Sequence, residues 1–450
     1  MTNYQSIVDN SDRASSVSSY RANSEFGSAL DYYRPLLTND TEDISICHTV
    51  YPTDEPSATI TSCSINLANT ILGTGMLAMP AALASIGLIP GIILILYAGC
   101  TSALGLYFLS QCAARVGDRH ASFSALSKLT WPKLGIFFDL AIAIKCFGVA
   151  VSYLIIIGDL MPKVILSFFH DAEQNALLMD RRLWITLFMI TAVGPLSYLK
   201  RLDSLKYTSL VALFAVGYLV AIVVYHYISP NFPPPPPESI EYFHFSTKIF
   251  GQLPVFIFAF TCHQNIFSIY NELSDNSERS IIRVIVNSIG SAAFIYELVA
   301  ILGYLSFGKD VNGNIILEYP QSYFVAYGRL AIVILVIFSY PLQAHPCRAS
   351  LEKTLVQHTT HKKSHFLLTT AIVVCSYLVA ITITQLDVVL SFVGSTGSTT
   401  ISFILPGLFY FKIFQDDHWY HWKRIVSLFL AIYGALVMCI CLSFNIMRLL

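Results

Sequence analysis

Residues 72–76 read Leu72-Gly73-Thr74-Gly75-Met76, with Pro80 a turn further on; residues 261–265 read Thr261-Cys262-His263-Gln264-Asn265, with Gln252 and Pro254 upstream. Each stretch lies inside a long apolar run. Two glycines, or five polar and weakly polar side chains in a row, are poor continuations of a membrane helix. A break in such a helix leaves backbone N–H and C=O groups out of reach of water. It is costly unless something uses them. These two stretches decide the fold.

The runs around them set the class. The chain has 450 residues, 55% hydrophobic and 12% charged, with mean hydropathy +0.61. Soluble domains carry roughly 25% charged residues, so this shortage points to a surface that faces lipid. No charge occurs from Pro56 to Ala114, which is too long for one helix of about 20 residues. Gly87-Leu88-Ile89-Pro90-Gly91 supplies the turn. The same reading gives an all-α transmembrane domain over 56–450 with about eleven spans, at 59–86, 88–113, 135–166, 183–199, 205–229, 246–271, 280–307, 322–346, 365–385, 386–411 and 424–446. The last division but one falls at Gln385-Leu386-Asp387. The two breaks then lie in the first and sixth spans. Five spans apart is the spacing of a five-plus-five inverted repeat whose site forms where the first helix of each half unwinds.

Residues 1–55 are polar and Ser-rich and lack a signal-peptide core, so they read as a disordered cytosolic tail. Of the 27 Lys and Arg residues, 19 fall on the side of that tail and 7 on the other, with Lys145 inside a span. The positive-inside rule therefore places the N-terminus in the cytosol. The far side carries the loop 167–182, the proline run Pro233–Pro237, a stiff polyproline spacer, and the loop 308–321. The sequon at Asn39 lies in the tail and reads as a chance match. His418 and His421, beside Trp419 and Trp422, read as interfacial anchors. Nine of the ten cysteines fall in or beside apolar runs and read as small buried hydrophobes.

The breaks imply a chemistry. Free N–H groups from Thr74 to Leu77, opening a second half-helix, suit an anion such as an α-carboxylate. Free carbonyls from Cys262 to Gln264 suit a cation such as an α-ammonium. Together they cradle a zwitterion without a charged side chain. The candidate substrate site is Asn69, Leu72, Gly73, Thr74 and Gly75 with Cys262, His263 and Gln264. The competing reading of Gly73 and Gly75 is close helix packing alone. The small, hydroxyl-rich stretch Gly394-Ser395-Thr396-Gly397-Ser398-Thr399-Thr400 either lines a polar path or mediates packing.

Ionisable groups inside spans are expensive and face partners or cavities. Lys145 is either a structural ion-pair member or a fixed cation near the site. Glu297 either carries a proton or pairs with Lys145. His263 titrates near neutrality, which suits a proton gradient, unless its ring only ties down loose backbone.

Taken together, these segments resemble a known family. Ile65-Asn66-Leu67-Ala68-Asn69-Thr70-Ile71-Leu72-Gly73-Thr74-Gly75-Met76-Leu77 is similar to the first helix of the amino acid/auxin permeases. Phe138–Gly148 with Gly158-Asp159-Leu160-Met161-Pro162 resembles the third helix of the yeast vacuolar amino acid transporters. Cys262–Tyr270, Pro341–Ser350 and Gly394–Pro406 resemble the sixth, eighth and tenth. The resemblance covers about residues 58–447 and implies a LeuT-like fold and amino acid symport. Sodium-coupled animal members use a first-helix asparagine and an eighth-helix threonine. Asn66 falls at the first position and Ser339 at the second, so serine stands where a sodium site has threonine. The vacuolar export branch implies proton coupling and movement from an acidic lumen to the cytosol. Two alternatives stay open: a sodium-coupled symporter, and an amino-acid sensor that binds with little flux. No metal cluster, nucleophile–base pair or phosphate loop is present, so no enzyme, cofactor, metal or nucleic-acid partner is expected.

Overall fold

The computed structural model describes residues 58–449 apart from 118, 200–207, 233, 245, 356–360 and 417–420. The expected tail, its sequon, and His418 with Trp419 lie outside these residues, as does Pro233 of the proline run. The described residues are helical, with one isolated bridge between Ala58 and Leu273. Among the described residues, nine helices are long and apolar enough to cross a bilayer. A tenth crossing is a bent pair, Ile60–Ile71 and Gly75–Ala84, angled by 58°. The stretch expected at 183–199 is helical over Arg181–Phe188, Met189–Val193 and Gly194–Ser197. A π turn interrupts it in the middle, and it stays shorter than the other spans.

Span numbers below follow chain order. Span 1 is the bent pair and span 2 is Leu88–Val116. A short helix that the sequence did not suggest, Phe123–Thr130, precedes span 3, Pro132–Phe168. Span 4 is the Arg181–Ser197 stretch and span 5 is Thr208–Ile228. Span 6 comprises Ile249–Ala259, a tight turn at His263–Asn265 and Ile266–Glu272. Span 7 is Glu278–Phe307, span 8 Tyr323–Leu355 and span 9 His361–Thr382. Span 10 runs Leu386–Ile413 through two π turns, Gly394–Ser398 and Thr400–Ile404. Span 11 is Trp422–Leu449. Between spans 9 and 10 the helix ends at Thr382 and the next begins at Leu386, with Gln385 at its N-cap position.

Spans 3 and 8 pack along most of their lengths and form the long axis of the core. Span 7 lies against both halves of span 1 and against span 2. Arg329, fully buried near the start of span 8, donates to the carbonyls of Ile316 and Tyr319 and so anchors the loop before it.

Spans 1 and 6 are joined at both ends. At one, the Ala58 amide donates to Glu272 O at 3.2 Å and the Ser274 amide to Ala58 O at 3.0 Å. Arg119 adds bonds to the carbonyls of Asn271, Leu273 and Ser274 at 3.2, 2.6 and 3.1 Å. It thereby caps the negative end of the helix Ile266–Glu272. At the other end, the His244 amide donates to Ile86 O at 3.1 Å and the Leu88 amide to Glu241 O at 3.0 Å. Gly87 makes this turn at φ 92, and a Cβ there would stand 2.7 Å from the His244 nitrogen. Only glycine fits both the angle and the space.

Cys100, Cys375 and Cys439 are exposed on their spans rather than buried, while Cys63, Cys112, Cys146, Cys262, Cys347 and Cys441 are buried. A thiol is apolar enough for either surface of a helix in lipid.

Candidate functional site

The first break occupies Leu72–Thr74. The helix Ile60–Ile71 ends with the Leu72 amide bonded to Ala68 O at 2.8 Å. The next helix starts tightly, with the Met76 amide on Gly73 O at 3.2 Å and the Leu77 amide on Thr74 O at 3.1 Å. The free N–H groups are therefore fewer than the sequence suggested. Among the described residues, the amides of Thr74 and Gly75 have no acceptor. The two glycines differ. A Cβ at Gly75 would lie 2.8 Å from Ala259 Cβ and 3.0 Å from Ala259 Cα, so Gly75 permits close approach of spans 1 and 6. A Cβ at Gly73 would meet only Ile71 O, at 3.9 Å. Close packing explains Gly75 but not Gly73.

At the second break, the carbonyls expected to be free are used locally. Cys262 O accepts the Asn265 amide and His263 O the Ile266 amide, closing the turn. The carbonyls that leave the helix come earlier. Ala259 O accepts the Tyr296 hydroxyl at 3.0 Å, and Phe260 O accepts the Ser102 hydroxyl at 2.8 Å. Asn265 Nδ2 donates to Thr70 Oγ1 at 2.7 Å, which ties this turn to span 1. Gln264 is half-buried, and its Oε1 has no partner.

His263 is fully buried and bonded at both ring nitrogens. Nε2 lies 3.1 Å from Ser102 O and Nδ1 3.1 Å from Ser402 Oγ. A carbonyl only accepts, so Nε2 carries a hydrogen. Ser402 also lies 3.2 Å from Thr261 Oγ1, and the Thr261 hydroxyl donates to Ile257 O at 2.7 Å. The Ser402 hydroxyl thus has two settings. It donates to Nδ1 when the ring is neutral. It turns to Thr261 when Nδ1 carries a proton. Span 2 lets the ring in at Gly105, where a Cβ would come within 2.8 Å of Nε2.

Lys145 is buried beside Cys262 and His263, with span 10 close against it; a Cβ at Gly397 would stand 2.7 Å from Lys145 Cβ. No carboxylate pairs with it among the described residues. The alternative in which Glu297 pairs with Lys145 is not what the structure holds: Glu297 is half-buried, with Oε1 unpartnered. Asn69 is half-buried and Leu72 buried. Asn66 is exposed on the helix Ile60–Ile71, and Ser339 lies in span 8. In span 10, Thr396, Thr399 and Thr400 return their hydroxyls to backbone carbonyls of their own helix. Gly394 and Gly397 take close packing, Ser391 donates its hydroxyl to Gly251 O of span 6, Ser402 faces His263, and the Ser398 oxygen has no partner. A small apolar gap of about 20 Å³ borders Gly73, Thr74, Met76 and Leu77 toward spans 5 and 8. It holds a water at most, so an amino acid enters only when this region opens.

Two features escaped the sequence reading. Ser102 and Ser402 look like ordinary small residues of apolar spans, and only the fold brings them to His263. Tyr296 stands next to the conspicuous Glu297, and a helix points neighbouring residues about 100° apart.

The two breaks thus bring together a buried histidine bonded at both ring nitrogens and a buried lysine. The family described as transmembrane amino acid transporter protein matches residues 56–447, and the chain belongs to it. It is 46% identical over 404 residues to vacuolar amino acid transporter 5 of Schizosaccharomyces pombe, covering 86% of this chain and 94% of that protein. It is 38% identical over 454 residues to vacuolar amino acid transporter 6 of Saccharomyces cerevisiae, covering 86% and 98%. The crystal structure of MhsT in complex with L-phenylalanine matches with a TM-score of 0.55 at 12% identity, over 87% of this chain and 99% of that one. That likeness is one of fold, and the LeuT-like architecture expected from the sequence is the one found.

Proposed function

We propose that the chain is a secondary active, proton-coupled amino acid symporter of the vacuolar membrane, with residues 1–55 in the cytosol, exporting amino acids from the lumen. The observation that carries the coupling is the His263 ring, held at both nitrogens inside the second break, with a serine that satisfies either protonation state. Lys145 supplies a positive charge beside it without a bound cation. The substrate's carboxylate meets the amides of Thr74 and Gly75, and Asn69, Leu72, Cys262 and Gln264 complete the site. Relatives named as vacuolar amino acid transporters support the membrane and the substrate class. Asn66 is exposed and serine stands at 339 where a sodium site has threonine, which speaks against sodium.

Each pH unit is worth about 1.4 kcal/mol per proton, so a gradient of about two units concentrates a neutral substrate on the order of a hundredfold. Flux from liposomes tests the reading. Transport rises when the lumen-equivalent side is acidified and is indifferent to replacing sodium with choline. A strict sodium requirement with no response to pH contradicts it, and binding without flux identifies a sensor instead.

A further inference from the structure

We propose that Tyr296 is a positioning residue of the amino acid site: its hydroxyl ties together the ends of both broken half-helices and sets the spacing of the backbone groups that meet the substrate. This rests on the reading that the two breaks form that site. The Tyr296 side chain is fully buried in span 7. Its hydroxyl donates to Ile71 O at 2.5 Å and to Ala259 O at 3.0 Å. These are the last carbonyls of Ile60–Ile71 and of Ile249–Ala259. As helix ends they have no partner within their own helix and carry the negative end of its dipole. One phenol therefore holds the residue before the first break and the residue before the second.

A hydroxyl has one proton and two lone pairs. Sharing that proton between two carbonyls fixes the distance between them. The free amides of Thr74 and Gly75 follow within four residues of Ile71, so this distance sets where they point. The ring cannot swing away. Phe260 meets it edge-on, with centroids 5.1 Å apart, and the Phe260 carbonyl is itself held by Ser102 at 2.8 Å. No side chain in the junction is charged, so the two negative helix ends are bridged by a neutral donor. Without the hydroxyl, two buried carbonyls lose their partner where water does not reach, and the ends are free to part.

A residue that only added stability would leave substrate affinity unchanged. Tyr304 provides that comparison: it lies two turns along the same helix, is fully buried, and its hydroxyl bonds the backbone of Glu241 at 2.7 and 3.3 Å, away from both breaks. The experiment is counterflow of the best-transported amino acid by the purified full chain in liposomes, at equal pH on both sides, with thermal unfolding of each variant. Equal pH removes the proton gradient as a driving force, and all variants are compared at the same pH. Tyr296→Phe is expected to raise the half-saturation concentration about tenfold, the size of one lost buried hydrogen bond, with the maximal rate within about twofold. Tyr304→Phe lowers the unfolding temperature without moving half-saturation. An unchanged half-saturation in Tyr296→Phe overturns the proposal. Should that variant not be recovered folded, Phe260→Leu releases the ring. Half-saturation raised severalfold at unchanged unfolding temperature then supports the role, and an unchanged value overturns it. Full transport by Gly75→Val fails the site reading itself, a different result from any of these.

Discussion

Span 8 and span 1 both contain proline, yet only one of them breaks. Pro341 and Pro346 sit inside the unbroken 33-residue helix Tyr323–Leu355, and Pro162 sits inside the unbroken 34-residue helix of span 3. Pro80 and Pro254 likewise lie inside half-helices, several residues from the breaks of spans 1 and 6. A proline inside a helix costs about 3 kcal/mol in water, but in lipid the alternative of an open backbone is worse. What distinguishes the broken spans is a partner for each freed group. Tyr296 meets Ile71 and Ala259, Ser102 meets Phe260, and Asn265 reaches across to Thr70. Breaks form where glycine or polar residues loosen the helix and a buried donor waits for the exposed carbonyls.

The comparison is broken most severely at Gly75. Gly75→Val drives a branched side chain into Ala259, already 2.8 Å from a single Cβ. Uptake should be abolished while the protein still reaches its membrane, as localisation beside flux will show. Gly73→Ala, with only Ile71 O at 3.9 Å, should keep most activity. Equal losses from Gly73→Ala and Gly75→Ala would mean that packing does not separate the two glycines.

Lys145→Met comes next. Removing an unpaired buried cation relieves desolvation, so the variant is expected to unfold at the same temperature or higher. Its transport should nevertheless be lost. A stable variant with normal flux would make Lys145 a structural residue, as the blander sequence reading had it. The smallest effects are expected in span 8. Pro341→Ala and Pro346→Ala restore backbone donors to a helix that is already continuous. Each should leave thermal stability unchanged or raise it, and leave half-saturation alone. A large loss of affinity from either would show that prolines, not donors, place the site.

Much of this architecture was legible beforehand, and particular residues show why. Gly73, Gly75 and the run Thr261–Asn265 violate helix preferences in place, so the breaks can be read locally. The boundary at Gln385 is legible for the same reason: a polar residue and an acid interrupt an apolar run. What was not legible depends on residues distant in sequence. Cys262 and His263 carry carbonyls that looked free, but the tight turn uses them, and the ends that need partners moved back to Ala259 and Phe260. Glu297 drew attention as a charge, while its neighbour Tyr296 makes the contacts. Span 4 reads from the sequence as a short crossing, and the π turn within it is not visible there, because periodicity alone does not register one extra residue per turn.

Proton uptake on substrate binding tests the central claim most directly. Calorimetric titration of the purified chain with its amino acid, near pH 6 and in buffers of differing ionisation enthalpy, yields the protons taken up per substrate bound. About one proton is expected for the wild type, falling to near zero in His263→Ala and remaining near one in Ser339→Ala. Binding without proton uptake across pH 5 to 7, or uptake untouched by His263→Ala, would contradict a site in which the histidine at the second break couples the amino acid to the proton.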